Sequence, residues 1–315
     1  MLSLFLAAAA CGGSGAGAAL NATPSASSAP SVAPQALPAG TYSTTAPCGW
    51  KSTTTYTHVI WIFMENRTFS QVLGASAPTP HLKSFVHKCG VAMNYTAVTH
   101  PSLPNYLAAS SGTNGSVTTD CDPSSCSQNR TSLFQQIVAA GHSWRAYDES
   151  MPSNCYLTNS GNYAPRHNPA VYFLPIRSKC KTNDIPMGGS SGAFATALAN
   201  RTLPSFSFVT PNLCNDGHNC STSTADTWIG TWVGKILTSA SYKAGHTLVF
   251  LTWDEGVGSN QRIATVVMGP TVPRGLQVTT SYTHYSLLRT TEEILGLAKL
   301  GHAATAHSMR TGFHI

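Results

Sequence analysis

The sequence predicts a three-layer α/β/α sandwich built on a mostly parallel central sheet. Short apolar runs rich in β-branched and aromatic residues, His58 to Met64 (HVIWIFM) and His246 to Trp253 (HTLVFLTW), have the pattern of strands buried on both faces. Segments with helical periodicity alternate with such runs along the chain. Both runs end in polar pairs, Glu65-Asn66 and Asp254-Glu255, and open α/β sheets bind ligands beyond the carboxyl ends of their strands.

The globular chain begins near Thr41, and its first strand is His58 to Met64. Tyr106 to Ser111 (YLAASS) starts a helix behind a proline-framed segment. Ser132 to Ala140 (SLFQQIVAA) spaces its apolar residues as a helix does, and Gly141 stops it. Ser143 to Tyr147 (SWRAY) and Ser205 to Thr210 (SFSFVT) read as short strands, the second closed by Pro211. Asp226 to Ser239 (DTWIGTWVGKILTS) is an amphipathic helix with Asp226 as its N-cap and with Trp228 and Trp232 in the core. The strand His246 to Trp253 follows, then Arg262 to Met268, ended by Gly269-Pro270. Ser286 to Leu297 (SLLRTTEEILGL) is the last helix.

Hydrophobic residues make up 42% of the 315, enough for a substantial core. Charged residues are only 10%, against about 25% in an average domain, and the surplus of Ser, Thr, Gly and Asn fits an exported protein. The net charge of +6 is spread without any run of Lys or Arg, so there is no nucleic-acid footprint. The first residues, MLSLFLAAAACGG, combine an apolar stretch, small residues and Cys11, the pattern of a lipoprotein signal or of an ordinary secretion signal. The stretch is shorter than the roughly 20 residues a bilayer span needs. Ala, Ser, Pro and Gly then dominate as far as Pro38, the composition of a flexible tether. The expected division is residues 1–40 as signal and linker and 41–315 as one globular domain.

With Cys11 set aside for a lipid, the nine cysteines leave an even number, and none form a C-x-x-C pair. An oxidising compartment would join them as disulfides. Proximity suggests Cys48–Cys89, Cys121–Cys126, Cys155–Cys180 and Cys214–Cys220, among about 105 connectivities. The chain is expected outside the cytoplasm, secreted or held at the cell surface, and touching a membrane only through an N-terminal lipid.

Carboxylates at two strand ends point to a shared oxygen-rich pocket, and such pockets hold cations. His100 to Tyr106 (HPSLPNY) frames one serine between Pro101 and Pro104, which fix the backbone. A helix starting there would aim Ser102 at a helix N-terminus, where amide groups favour anions. On local sequence alone, an ordinary proline turn stays open as the alternative.

Seven spaced segments carry a resemblance. They are Met64-Glu65-Asn66-Arg67-Thr68-Phe69, His100 to Tyr106, Tyr147-Asp148-Glu149-Ser150-Met151-Pro152, Arg166-His167-Asn168-Pro169, Pro211 to His218, Trp253-Asp254-Glu255-Gly256 and Thr283-His284-Tyr285-Ser286. In this order they resemble the phosphoesterase family of bacterial phospholipases C and acid phosphatases, within the alkaline-phosphatase-like superfamily. The likeness runs from about Thr57 to Leu297.

The resemblance implies an alkaline-phosphatase-like fold, with 41–315 as the catalytic domain of a secreted, metal-dependent phosphoesterase. It implies Glu65, Asn66, Ser102, Asp254 and Glu255 as ligands of a divalent cation, with Ser102 also the nucleophile. A metal lowers the pKa of a hydroxyl and neutralises phosphoryl oxygens, so no Ser-His-Asp triad is required. Asp216, His218 and His284 are implied as ligands of a second metal or as direct phosphate contacts. Asn212 stands where two-metal relatives have an aspartate, and Glu255 where they have a histidine. That favours one cation, with His218, His284 and His167 contacting the phosphate and one of them protonating the leaving group. Arg166 beside His167 is either an anion clamp or half of a surface ion pair. Oxygen ligands fit Ca²⁺, Mg²⁺ or Mn²⁺, and added histidines shift the choice toward Zn²⁺ or iron.

The implied reaction is that of an acid phosphatase, hydrolysis of a small phosphate monoester through a phosphoserine. The alternative is a phospholipase C that cleaves the phosphodiester of a phospholipid head group. Tyr106 stands where a sulfatase motif has arginine, which argues against that reaction. A binding protein that merely kept the fold would have no need of the serine and its ligands together.

Overall fold

The computed structural model describes residues 40–315. The expected leader and tether, with Cys11, lie outside the described residues. The strands are β1 His58–Met64, β2 Gly90–Thr96, β3 Trp144–Asp148, β4 Asp184–Pro186, β5 Phe206–Thr210, β6 Thr247–Trp253, β7 Arg262–Met268 and β8 Leu276–Tyr282. They form one eight-stranded sheet in the order β4-β3-β5-β1-β6-β7-β2-β8. Among the described strands only β7 runs against its neighbours, β6 and β2. The sheet is therefore mostly parallel, as expected.

The helices are α1 Phe69–Leu73, α2 Pro80–Lys88, α3 Ser102–Ser111, α4 Leu133–Ala139, α5 Arg177–Asn183, α6 Ala193–Asn200, α7 Thr222–Thr238, α8 Ala240–Lys243, α9 His284–Ile294 and α10 Arg310–Phe313. They pack in groups: α3 lies on α9, while α2 lies on α7, and α8 joins α7 to α6. The central strands β1 and β6 are buried on both faces, which is what apolar runs without alternation require. Among the described residues, no helix is long and apolar enough to cross a membrane.

The pleat of β1 decides where the site lies. Trp61 donates its indole N–H to Thr291 of α9, and Phe63 packs against Tyr106 of α3 and His284 of α9. Odd-numbered residues of β1 thus face the α3–α9 layer. Glu65, next in that alternation, leaves the strand on the same side. The disulfides Cys48–Cys89, Cys121–Cys126, Cys155–Cys180 and Cys214–Cys220 form as proximity suggested. Trp228 and Trp232 are buried as expected.

Asp226 does not cap its own helix. α7 begins at Thr222, with the Ser221 hydroxyl accepting from the Thr224 N–H. Asp226 is buried inside the helix and caps α2 instead, accepting from the backbone N–H groups of His81 at 3.0 Å and Leu82 at 2.8 Å. α2 needs that partner, because its own N-cap, Thr79, makes no side-chain bond. The polar run Thr222-Ser223-Thr224 hid the true first turn, since Ser and Thr favour caps over helix interiors.

Candidate active site

Parallel neighbours β1 and β6 deliver Glu65-Asn66 and Asp254-Glu255 to the same end of the sheet. Asn66 turns the chain there with φ 50°, a left-handed conformation that asparagine tolerates better than most residues. The turn brings its backbone N–H to 3.1 Å from Asp254 Oδ1, tying the two strand ends together.

α3 supplies the hydroxyl. Ser102 is its first residue and is buried, as is the rest of the helix. Ser102 and Tyr106 lie one turn apart on one face. Both donate to the Glu65 carboxylate, Ser102 Oγ to Oε2 at 3.1 Å and the Tyr106 hydroxyl to Oε1. Asn105 shapes the approach to the serine. Its side-chain oxygen accepts from the N–H groups of Val98 and Thr99, and its amide donates to the carbonyls of Thr99 and Pro101.

His167 ends the short turn Pro165–His167, and its ring stacks on Tyr106 at 5.6 Å. Its Nε2 is 3.3 Å from Glu65 Oε2 and its Nδ1 is 3.4 Å from Asp216 Oδ2. Asp216 lies after β5 in the loop closed by Cys214–Cys220, and its carbonyl accepts from the Glu65 N–H at 2.9 Å. Ligand atoms of Glu65, His167 and Asp216 lie within 4.8 Å of one another. A similar grouping of Cys155, Cys180 and Asp184 cannot hold a metal, because those cysteines are joined as a disulfide.

Burial dominates the electrostatics. Glu65, Asp216 and Asp254 are each 0% exposed. Desolvation, then the charges of Asp254 and Asp216, holds the Glu65 carboxyl well above the usual range. Burial also raises Asp254 and Asp216. Burial, with Arg166 and His218 beside it, holds His167 well below its ordinary value, so its imidazole is neutral. A neutral imidazole donates from one nitrogen only. Its other nitrogen is a lone pair that needs a donor or a cation opposite it. Asp216 Oδ2, Asp254 Oδ2 and His167 Nε2 have no hydrogen-bond partner. Such a buried set of oxygen and nitrogen lone pairs suits a divalent cation, which would reverse the upward carboxyl shifts.

Other expected residues stand differently. Glu255 Oε1 meets His100 Nδ1 at 2.9 Å and Oε2 meets the Asn105 amide at 3.5 Å. His284 is fully buried, with Nε2 on the Asp254 carbonyl at 2.5 Å and Nδ1 on the Tyr95 hydroxyl at 3.2 Å. With both nitrogens engaged, it braces the Asp254 backbone in this arrangement. His218 is partly exposed at the rim, its Nε2 3.4 Å from Arg166 Nη2 and its ring 5.6 Å from that of His167. Asn105, Tyr106 and Asp120 shape the site although none was expected to take part in it. The first two stand inside the proline-framed motif, whereas Asp120 sits in a polar loop with no sequence signal.

A model of the Phosphoesterase family matches residues 75–298. The chain belongs to the Phosphoesterase family. As a phosphoesterase it is a hydrolase acting on phosphate esters. It is similar to a phosphatidylinositol-3-phosphatase of Mycobacterium tuberculosis, 31% identical over 80% of this chain and 81% of that protein. It is also similar to acid phosphatases of Aspergillus fumigatus, 30% identical over 66% of this chain and 48% of that one, and of Aspergillus niger, 29% identical over 78% and 60%. The phosphoesterase thus spans about half to three fifths of those fungal proteins. Among solved structures it resembles a protein in the alkaline phosphatase superfamily from Vibrio parahaemolyticus, with TM-score 0.57 and 12% identity over 82% of this chain and 72% of that one. It also resembles the lipoteichoic acid synthase LtaP of Listeria monocytogenes, with TM-score 0.55 and 10% identity over 79% and 76%. At such identities the likeness shows the fold alone, the mostly parallel α/β sheet with its helical layers.

Proposed function

We propose that this phosphoesterase is an exported, metal-dependent acid phosphatase that hydrolyses phosphate monoesters through a phosphoserine on Ser102. One observation carries the reading: the buried Ser102 hydroxyl, first in its helix, bonds the Glu65 carboxylate at 3.1 Å inside a crowd of buried acids. The orphaned oxygens of Asp216 and Asp254 and the orphaned nitrogen of His167 fit a divalent cation. Glu65, Asp254 and Ser102 would hold it, with Asn66, Asp216 and His167 around it. When bound, a cation would stabilise the serine alkoxide and the charge on the phosphoryl oxygens. Oxygen donors alone suit Ca²⁺ or Mg²⁺, and the histidine in this set favours Zn²⁺ or Mn²⁺.

The protein's own groups account for the remaining steps. Ser102 Oγ bonds to phosphorus as its proton passes to Glu65, and the bond from phosphorus to the ester oxygen breaks. Arg166 binds phosphoryl oxygens with its fork of donors. His218, at the rim, protonates the departing alkoxide. Water then cleaves the phosphoserine, giving its proton to His218, and Glu65 returns the proton to Ser102. The relatives named phosphatases support a monoester over a diester substrate. The four disulfides support export to an oxidising compartment.

The purified protein is expected to release phosphate from p-nitrophenyl phosphate and no phosphocholine from phosphatidylcholine. Ser102→Ala is expected to lower kcat by at least about 10³-fold with an unchanged unfolding midpoint. Turnover by that variant at the parent rate would sink the reading, and release of phosphocholine would shift it to a phospholipase C.

A further inference from the structure

α3 starts without a cap of its own. Its N-cap residue is Pro101, which makes no side-chain bond, and Pro104 in its first turn brings no N–H. The Leu103 N–H is satisfied from outside the helix, by Asp120 Oδ1 at 2.9 Å. Asp120 lies in the loop between α3 and α4, beside the Cys121–Cys126 disulfide. Its other oxygen, Oδ2, stands 3.8 Å from Arg166 Nε. On the same guanidinium, Nη2 is 3.4 Å from His218 Nε2. One carboxylate thus touches both the helix that carries Ser102 and the arginine that meets the rim histidine.

The Asp120 and Arg166 side chains are 31% and 22% exposed, so their attraction adds little to stability. At 3.8 Å the pair is an ion pair without a hydrogen bond, and what such a carboxylate gives a planar guanidinium is a bias in where its fork lies. We propose that Asp120 is a positioning residue for phosphate-ester binding: it biases Arg166 toward one place relative to Ser102, so that the outer N–H groups of the guanidinium meet the phosphoryl oxygens of the substrate. This rests on the reading of the site as a phosphatase centre. The sign of the effect separates positioning from simple charge. Removing a negative charge beside an anion site tightens anion binding by Coulomb's law. Releasing Arg166 weakens it.

Asp120→Asn keeps an oxygen for the Leu103 N–H but loses the ionic hold on Arg166. The KM for p-nitrophenyl phosphate is expected to rise about fivefold to tenfold, with kcat within about twofold of the parent and the thermal midpoint unchanged. In a Ser102→Ala background, the same change is expected to raise the Kd for inorganic phosphate by a similar factor, read by isothermal titration calorimetry. Asp120→Ala also removes the cap on α3, and is expected to lower the thermal midpoint and kcat as well. A Kd for phosphate that is unchanged or tighter in Ser102→Ala/Asp120→Asn overturns the inference. So does a fall in kcat at constant KM, or a Ser102→Ala parent that binds no phosphate. Failure of the wider phosphatase reading appears separately, as a wild-type protein that leaves p-nitrophenyl phosphate intact, since calorimetry needs no turnover.

Discussion

Glu65 receives the Ser102 and Tyr106 hydroxyls, faces His167, and is buried among other acids. A carboxylate so placed is unstable as an anion unless a positive charge offsets its neighbours. Glu65→Gln keeps the shape and one acceptor oxygen but removes the charge that holds a cation and takes the serine proton. Its kcat/KM is expected to fall at least about 10²-fold, and elemental analysis is expected to find less bound metal than in the parent. Equal metal content and activity would contradict the role given to Glu65. The strand-end pairs Glu65-Asn66 and Asp254-Glu255 were legible because an apolar run that stops at an acid is a local pattern. The true setting of His284 was not legible: its partners, the Tyr95 hydroxyl and the Asp254 carbonyl, come from β2 and from beyond β6, and folding alone brings them together.

Helices here borrow caps. α2 takes its cap from Asp226 of α7, and α3 takes one from Asp120 of a loop. Asp226→Ala removes a buried cap and leaves two N–H groups without partners, so a loss of roughly 2 kcal/mol in chemical unfolding is expected, with kcat unchanged. A second buried acidic pair, Asp148 at the end of β3 and Asp184 at the head of β4, titrates with the fold. The Asn168 amide donates to both Asp184 oxygens at 3.0 Å, while neither Asp148 oxygen makes a well-formed hydrogen bond. Such a pair shares a proton rather than ionising twice. Burial raises both, Asp184 up to about 6. The folded state therefore holds protons that the unfolded chain releases. The contribution is complete below the ordinary aspartate value of 3.8 and is lost as the pH climbs through about 6. Asp148→Asn is expected to flatten the fall in urea midpoint between about pH 4 and pH 7 relative to the parent. An identical slope in parent and variant would contradict this. The elements that the sequence concealed are the short or edge strands. β4 has three residues, and β8 (LQVTTSY) exposes polar side chains on an edge, so neither presents an apolar run.

Across the whole molecule, the motif segments converge because the sheet is mostly parallel. β1, β2, β3, β5, β6 and β8 all point the same way. Glu65, Ser102, Glu149, Asp216, Asp254 and His284 each follow the carboxyl end of one of them. A one-way sheet turns residues far apart in sequence into neighbours at one rim, which is why spaced strand-end motifs could be read as a site. Ligand-by-ligand geometry was not legible, because loops decide it. The Cys214–Cys220 loop brings Asp216 against His167 and Glu65, whereas Glu255 is taken up by His100. The most direct test of the central claim is to quench the enzyme in acid during turnover of a radiolabelled phosphate monoester and map the labelled peptide. Label on the peptide carrying Ser102, absent in Ser102→Ala, is the predicted result. Label on a peptide that lacks Ser102, or rapid turnover with no labelled protein at any quench time, would contradict the account.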